Sequence, residues 1–209
     1  YQEIMTDPSY ASQIITFTFP HIGNVGTNFE DMESESGPKI KGAIFNSPVT
    51  SPSNWRSKKN LNQWLIDNKI TALYGVDTRS ITTHIREKGF MNGIIVNDQN
   101  GFKESESHKN KLSKWEGIVG QDLAKIVSTK EIYNWTEREE SFLSDKIQSI
   151  NKHIIVIDYG VKNNILRSYI IGKNISFFRK QIGKKMVGRR SQNPNFAQIA
   201  HHLLFHFVL

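Results

Sequence analysis

The sequence predicts an α/β protein in two unequal parts. Apolar stretches of strand length recur along residues 1–135 and alternate with segments of helical spacing, the pattern of a mixed α/β unit. Further on, Ile154 to Ile157 is a continuous apolar run, as in a strand covered on both faces. Gly160, a helical stretch through Ile165 and Leu166, and a second strand-like run from Ile175 to Phe178 follow it, which is the opening β-α-β of a doubly wound parallel sheet. Between the parts, Thr136 to Lys152 (TEREESFLSDKIQSINK) is charged and weakly periodic and suits a linker.

The first part divides into recognisable elements. Asp7, Pro8 and Ser9 form a turn, because proline fixes φ and aspartate bonds its own backbone. Ile15, Phe17 and Phe19 alternate with Thr16 and Thr18, the period of a half-buried strand, and Pro20 ends it. Gly23 and Gly26, interleaved with Asn24 and Asn28, make a loop that needs positive φ or close backbone approach. Phe29 to Pro38 (FEDMESESGP) reads as a solvated acidic connection, and Gly42 to Phe45 as a short strand. Ser57 is placed to cap a helix whose apolar face is Leu61, Trp64 and Leu65. Thr71 to Val76 is strand-like. Asp77 then caps a second helix, with Ile81 and Ile85 inward and Gly89 as its stop. Met91 to Val96 returns as a strand, a short helix spans Gln121 to Val127, and Glu131 to Trp135 closes the first domain.

Composition bounds the function. No stretch approaches the ~20 uninterrupted apolar residues of a membrane span. The chain opens at Tyr1 on what reads as the middle of a domain, without a secretory signal, so a fragment at the amino end is expected. The sequence contains no cysteine, which excludes disulfides, thiolate metal sites and a cysteine nucleophile within these residues. The formal net charge of +7 would ordinarily raise nucleic-acid binding. From Tyr159 to Leu209, however, there are 9 basic residues and no acidic one, so the remainder has 18 basic against 20 acidic residues. The basic character belongs to the last quarter.

The run YQEIMTDPSYASQIITFTFPHIGNVGTN, Tyr1 to Asn28, resembles the small subunit of glutamine-hydrolysing carbamoyl-phosphate synthetase, whose first domain carries YQE-(I/L)-x-TDPSY-x-x-Q-I-(I/V) followed by P-x-I-G-N-x-G-x-N. GVDTR (Gly75 to Arg79), the helix ending in IREKG, MNGII, DLAKIVST and IDYGVKNNILR (Ile157 to Arg167) resemble it in the same order, so coverage runs from Tyr1 to about Phe178. The resemblance implies a compact α/β first domain that docks on the large synthetase subunit (residues 1–135), a linker (136–152), and the start of a class I glutamine amidotransferase domain of flavodoxin-like topology (153–178). It implies a cytoplasmic enzyme that hydrolyses glutamine and passes ammonia to the large subunit. There ammonia, bicarbonate and two ATP give carbamoyl phosphate for arginine and pyrimidine synthesis. The cofactors implied are none in this subunit, with ATP and Mg in the partner large subunit.

Amide cleavage needs an activated nucleophile, a base and an oxyanion hole. In the family these are a cysteine at a strand-to-helix elbow, a histidine, a glutamate and a glycine-rich loop. None is recognisable here: there is no cysteine, no G-x-C-x-G or G-x-S-x-G elbow, and no acidic residue beyond Asp158. No catalytic residue is assigned, and the isolated chain is expected to be inactive. Residues 179–209 match nothing in the family's pattern and have the composition expected of a shifted reading frame.

Ser9 is the one ligand contact carried over. In the family the serine of the TDPSY turn reaches L-glutamine, and a hydroxyl both donates and accepts, as an amino acid's ammonium and carboxylate require. Asp77 and Arg79 read as a helix cap and its first turn, structural or in subunit contact rather than chemical. Lys162, Asn164 and Arg167 lie on the helix after the first strand of the second part and read as a solvated polar face. His202 and His206 stand at i, i+4 beside His201 but lack an acidic partner, so no metal site is assigned. Lys184, Lys185, Arg189 and Arg190 lack interleaved aromatics for nucleic-acid stacking. The expected partners are the large subunit and L-glutamine, with no nucleic acid and no membrane. The competing readings are a non-catalytic module that still docks on the large subunit and, more distantly, a basic nucleic-acid-binding protein.

Overall fold

The fold is that of a computed structural model describing residues 1–97, 106–135, 152–169 and 173–178. Helix α1 (Gln2–Thr6) leads into a 3-10 turn, Pro8–Tyr10, which Asp7 caps by accepting a hydrogen bond from Ser9 N. Three strands then form a parallel sheet in the order β1 (Ile14–Phe17), β2 (Gly42–Phe45) and β3 (Thr71–Leu73). Register pairs Phe17 with Phe45, whose rings sit 5.5 Å apart, tilted by 40°. Around them Met5, Ile22, Ile40, Ala43, Leu61, Trp64 and Leu65 close the main core. Burying such side chains stabilises by about 1.5–3 kcal/mol each.

Helix α2 (Leu61–Asp67) makes the crossover from β2 to β3 and buries the predicted face, Leu61, Trp64 and Leu65. Its cap is not the expected Ser57. Asn60 accepts from Gln63 N at 2.8 Å, while Ser57 sits against Gly26 at the end of a turn. Asp77 caps α3 (Thr78–Lys88) as predicted, accepting from Ser80 N at 3.0 Å and Ser80 Oγ at 2.6 Å, and Gly89 ends it at φ +83°. These bonds hold the Asp77 carboxyl below the usual range.

Three strand expectations need correction. The first strand stops at Phe17, leaving Phe19 60% exposed. The run Thr71 to Val76 is strand only to Leu73. Met91 to Val96 joins no strand. It packs by side chain instead: Ile95 Cδ1 approaches Gly42 so closely that a Cβ there would stand 2.7 Å from it. Apolar alternation specifies a face to bury but not whether the backbone pairs.

After α4 (Glu106–Lys114) comes α5 (Leu123–Val127), capped by Asp122. The second sheet has the order β4–β6–β5, where β4 is Asn134–Trp135, β5 is Lys152–Ile157 and β6 is Lys173–Phe178. Strands β5 and β6 are parallel and joined through α6 (Asn163–Tyr169), the expected β-α-β, while β4 adds antiparallel to β6. Trp135 and Leu166 are the buried pair of its core. The double coverage expected of β5 is absent among the described residues: Ile155 is 60% and Ile157 47% exposed. The tail, residues 179–209, lies outside the described residues, and so does most of the linker, residues 136–151. Among the described residues, no helix is long and apolar enough to cross a membrane.

Candidate functional site

The opening run is held as one piece by its own side chains. Gln2 mimics a strand neighbour: its Nε2 donates to Asn28 O at 2.6 Å and its Oε1 accepts from Asn28 N at 2.9 Å. Tyr1 Oη donates to Gly26 O at 2.7 Å, and burial pushes the phenol up to about 12. Gly26, at φ +72°, admits no Cβ without collision with the Ser57 side chain, so both conditions foreseen for this loop hold there at once. Thr6 Oγ1 donates to Gln2 O at 2.9 Å and accepts from Glu33 N at 3.0 Å.

This scaffold presents Ser9. Its backbone is fixed at both ends, because Ser9 N donates to Asp7 Oδ1 at 2.8 Å and Ser9 O accepts from Gln13 Nε2 at 3.2 Å. The side chain is exposed, and its hydroxyl bonds to no described residue. Ser9 lines a cleft of ≈ 240 Å³ with Pro8 and Ala11 on one wall, Ala124 and Val127 of α5 on another, and Tyr159 and Gly160 of the loop after β5. Gly160, at φ +98°, sits so close to the turn that a Cβ would stand 3.1 Å from Pro8 Cβ. A larger open hollow of ≈ 520 Å³ lies elsewhere, beside Val49, Lys58 and Gln63, and holds none of the predicted site residues.

The loop after β5 is held by acid groups. Asp158 Oδ1 accepts from Gly160 N at 2.6 Å and Val161 N at 2.9 Å, and Tyr133 Oη lies 3.4 Å from Oδ2. Burial first, then the Asp158 charge, push the Tyr133 phenol well above its ordinary value. Lys162 Nζ pairs with Asp7 Oδ2 at 3.1 Å. Burial acts to lower that ammonium's pKa, but Asp7, Glu33 and Glu3 raise it on balance.

Lys162, Asn164 and Arg167 therefore do not make the solvated face expected of them. Only Asn164 is exposed. Arg167 is 8% exposed, donates to Asn164 Oδ1 at 2.8 Å and stacks over Trp135 with 5.9 Å to the ring centroid. The acidic stretch read as solvated is likewise wrong at its centre, because Glu33 is fully buried. Glu33 O accepts from Asn163 N at 3.1 Å, and its Oε2 accepts from Asn164 N at 2.9 Å. Burial raises its carboxyl pKa, opposed by the Asn164 N–H and by Lys162. Asp77 and Arg79 line neither hollow. His201, His202, His206 and the Lys184 to Arg190 cluster lie outside the described residues.

Residues 1–95 match the family described as carbamoyl-phosphate synthase small chain, CPSase domain. Curated relatives match about four-fifths of the chain. The carbamoyl phosphate synthase small chain of Bartonella quintana (strain Toulouse) is 51% identical over 174 residues, covering 80% of this chain and 43% of that protein. The chain belongs to the carbamoyl-phosphate synthase small-chain family. Small chains of Mesorhizobium japonicum and Zymomonas mobilis are 47% and 45% identical, each covering about four-fifths of this chain and 43% and 46% of their own length. This small-chain sequence thus spans less than half the length of the relatives it matches. Sequence reasoning placed Ser9 and Asp7 in one turn, with Asp7 bonding its own backbone, and missed both the Asp7 pairing with Lys162 and the burial of Glu33. The TDPSY turn itself signals the Asp7 cap, whereas Glu33 is one of several acids in FEDMESESGP with nothing local to single it out.

Proposed function

We propose that this chain forms the first-domain side of the glutamine site in a carbamoyl-phosphate synthase and docks on the large chain, without itself hydrolysing glutamine. The observation that carries the reading is the exposed Ser9 hydroxyl, bonded to no described residue and set on a braced turn opposite the Tyr159–Gly160 loop. A hydroxyl so held offers one donor and two acceptor positions to the charged ends of an amino acid at small ordering cost. The proposed domain division is 1–135 for docking, 136–152 for a linker, 153–178 for the start of the amidotransferase domain and 179–209 for the aberrant tail.

The reaction the reading assigns to the whole enzyme is cleavage of the glutamine amide and transfer of ammonia to the large chain, where ATP and Mg act, in the cytoplasmic route to arginine and pyrimidines. Thiolate attack on the amide carbonyl requires a cysteine, and these 209 residues contain none. The activity belongs to the complete enzyme, and the present residues contribute binding and assembly.

The test uses the purified chain with a purified large chain from a matched relative. A saturable complex with no ammonia released from glutamine is the expected result. Absence of binding would remove the docking part, and measurable glutaminase activity would remove the claim of inactivity.

A further inference from the structure

Among the described residues Glu33 is the one fully buried carboxylate of the first unit, and both its carbonyl and its carboxylate accept hydrogen bonds from a distant segment. Its backbone oxygen takes the Asn163 N–H and its Oε2 takes the Asn164 N–H, across a separation of 131 residues for the side-chain bond. Met32 O, the preceding carbonyl, accepts from Asn163 Nδ2 at 3.1 Å. Asn163 itself is 6% exposed. The first turn of α6 therefore rests on two consecutive residues of the FEDMESES segment. Glu33 Oε1 is buried and has no hydrogen-bond partner among the described residues. The charges facing the carboxylate are Lys162, Arg167 and the opposed Glu3. A carboxylate retained at such a position, where an apolar residue would fill the volume without an unpaired oxygen, calls for a role beyond filling space.

The geometry supplies one. The Asp158 to Lys162 segment is tethered at its start by the Asp158 carboxylate and continues directly into the turn that Glu33 holds. Tyr159 and Gly160, which wall the cleft opposite Ser9, lie between these anchors. We propose that Glu33 is a positioning residue for that cleft: by accepting the Asn164 N–H it seats the start of α6 and so sets the Tyr159–Gly160 wall against the Pro8–Tyr10 turn. The cleft's role as a glutamine site rests on the reading of Ser9 given above; the seating by Glu33 does not.

Amide hydrogen exchange on the full chain tests this, with Glu33→Gln, Glu33→Leu, Glu33→Ala and Ser9→Ala compared with the parent. Glutamine at 33 keeps an oxygen acceptor, leucine keeps volume alone, and alanine keeps neither. The Leu and Ala variants are expected to speed exchange across Gly160 to Leu166 by about tenfold or more, the loss of a hydrogen bond to a charged group, while the Gln variant stays within about threefold of the parent. The amides of β1 and β2 keep their rates in all of them. Equal protection in the Leu and Gln variants would make Glu33 a space filler and overturn the proposal. So would a Gln variant as fast as Ala, or acceleration spread evenly over β1 and β2. Ser9→Ala leaves the exchange pattern unchanged, so a failed glutamine contact at Ser9 and a failed seat at Glu33 give separate results.

Discussion

Lys162 Nζ lies 3.1 Å from Asp7 Oδ2, joining the loop after β5 to the residue that caps the Ser9 turn. Asp7 is 4% exposed, so its carboxylate depends on this cation and on the Ser9 N–H. Replacing Lys162 by Met leaves a buried charge without its partner and is expected to cost about 1–3 kcal/mol, less than for a fully buried pair because the lysine is partly solvated. Urea unfolding of the two proteins measures the difference. An unchanged midpoint would mean that solvent replaces the lysine.

Phe45 is fully buried against Phe17 and Leu61 in the main core. Phe45→Ala should lower stability by about 3–5 kcal/mol, as truncation of a central aromatic does. Phe19→Ala, beyond the end of β1 and largely exposed, should stay within about 0.5 kcal/mol. A large effect at Phe19 in thermal melts would restore it to the strand.

At Gly26, φ of +72° and the Ser57 side chain exclude a Cβ for separate reasons. Gly26→Ala is expected to cost about 1–3 kcal/mol. Ser57→Gly in the same chain relieves the collision and leaves the dihedral strain, so the double variant should recover only part of the loss. Full recovery would show that the dihedral costs nothing.

How much of this was legible in the sequence follows from the range of each interaction. Asp77 with Ser80, and Gly89 at the helix end, are contacts within a turn and were readable as caps. Leu61, Trp64 and Leu65 were readable because spacing on one helix fixes a shared face. Asn60 was missed in favour of Ser57 because both residue types cap well, and the choice depended on Ser57 being packed against Gly26. Met91 to Val96 has a strand's composition but packs a half-buried Ile95 on Gly42 without pairing. In the site, Ser9 came from a local motif. Glu33 was invisible because what neutralises its burial is a backbone N–H 131 residues away.

Glu33 also gives the chain a pH signature. Burial raises its carboxyl above the ordinary 4.5, so the folded chain holds this proton more tightly than the unfolded one. The stability it contributes is fully present below the unfolded value and is lost as pH rises through the folded one. Glu33→Gln cannot ionise. Its melting midpoint relative to the parent should therefore rise as pH is taken upward from 4.5. A constant difference across that range would place the carboxyl at its ordinary value.

The central claim, that Ser9 meets glutamine, is tested most directly by grafting residues 1–178 in place of the matching stretch of the Bartonella quintana small chain and assaying the graft with a large chain. Ser9→Ala in the graft is predicted to raise the KM for glutamine about tenfold, the loss of one hydrogen bond to a charged group, while carbamoyl phosphate formation from added ammonia stays unchanged. An unaltered glutamine KM, with the ammonia-driven rate equally unaltered, would contradict the account.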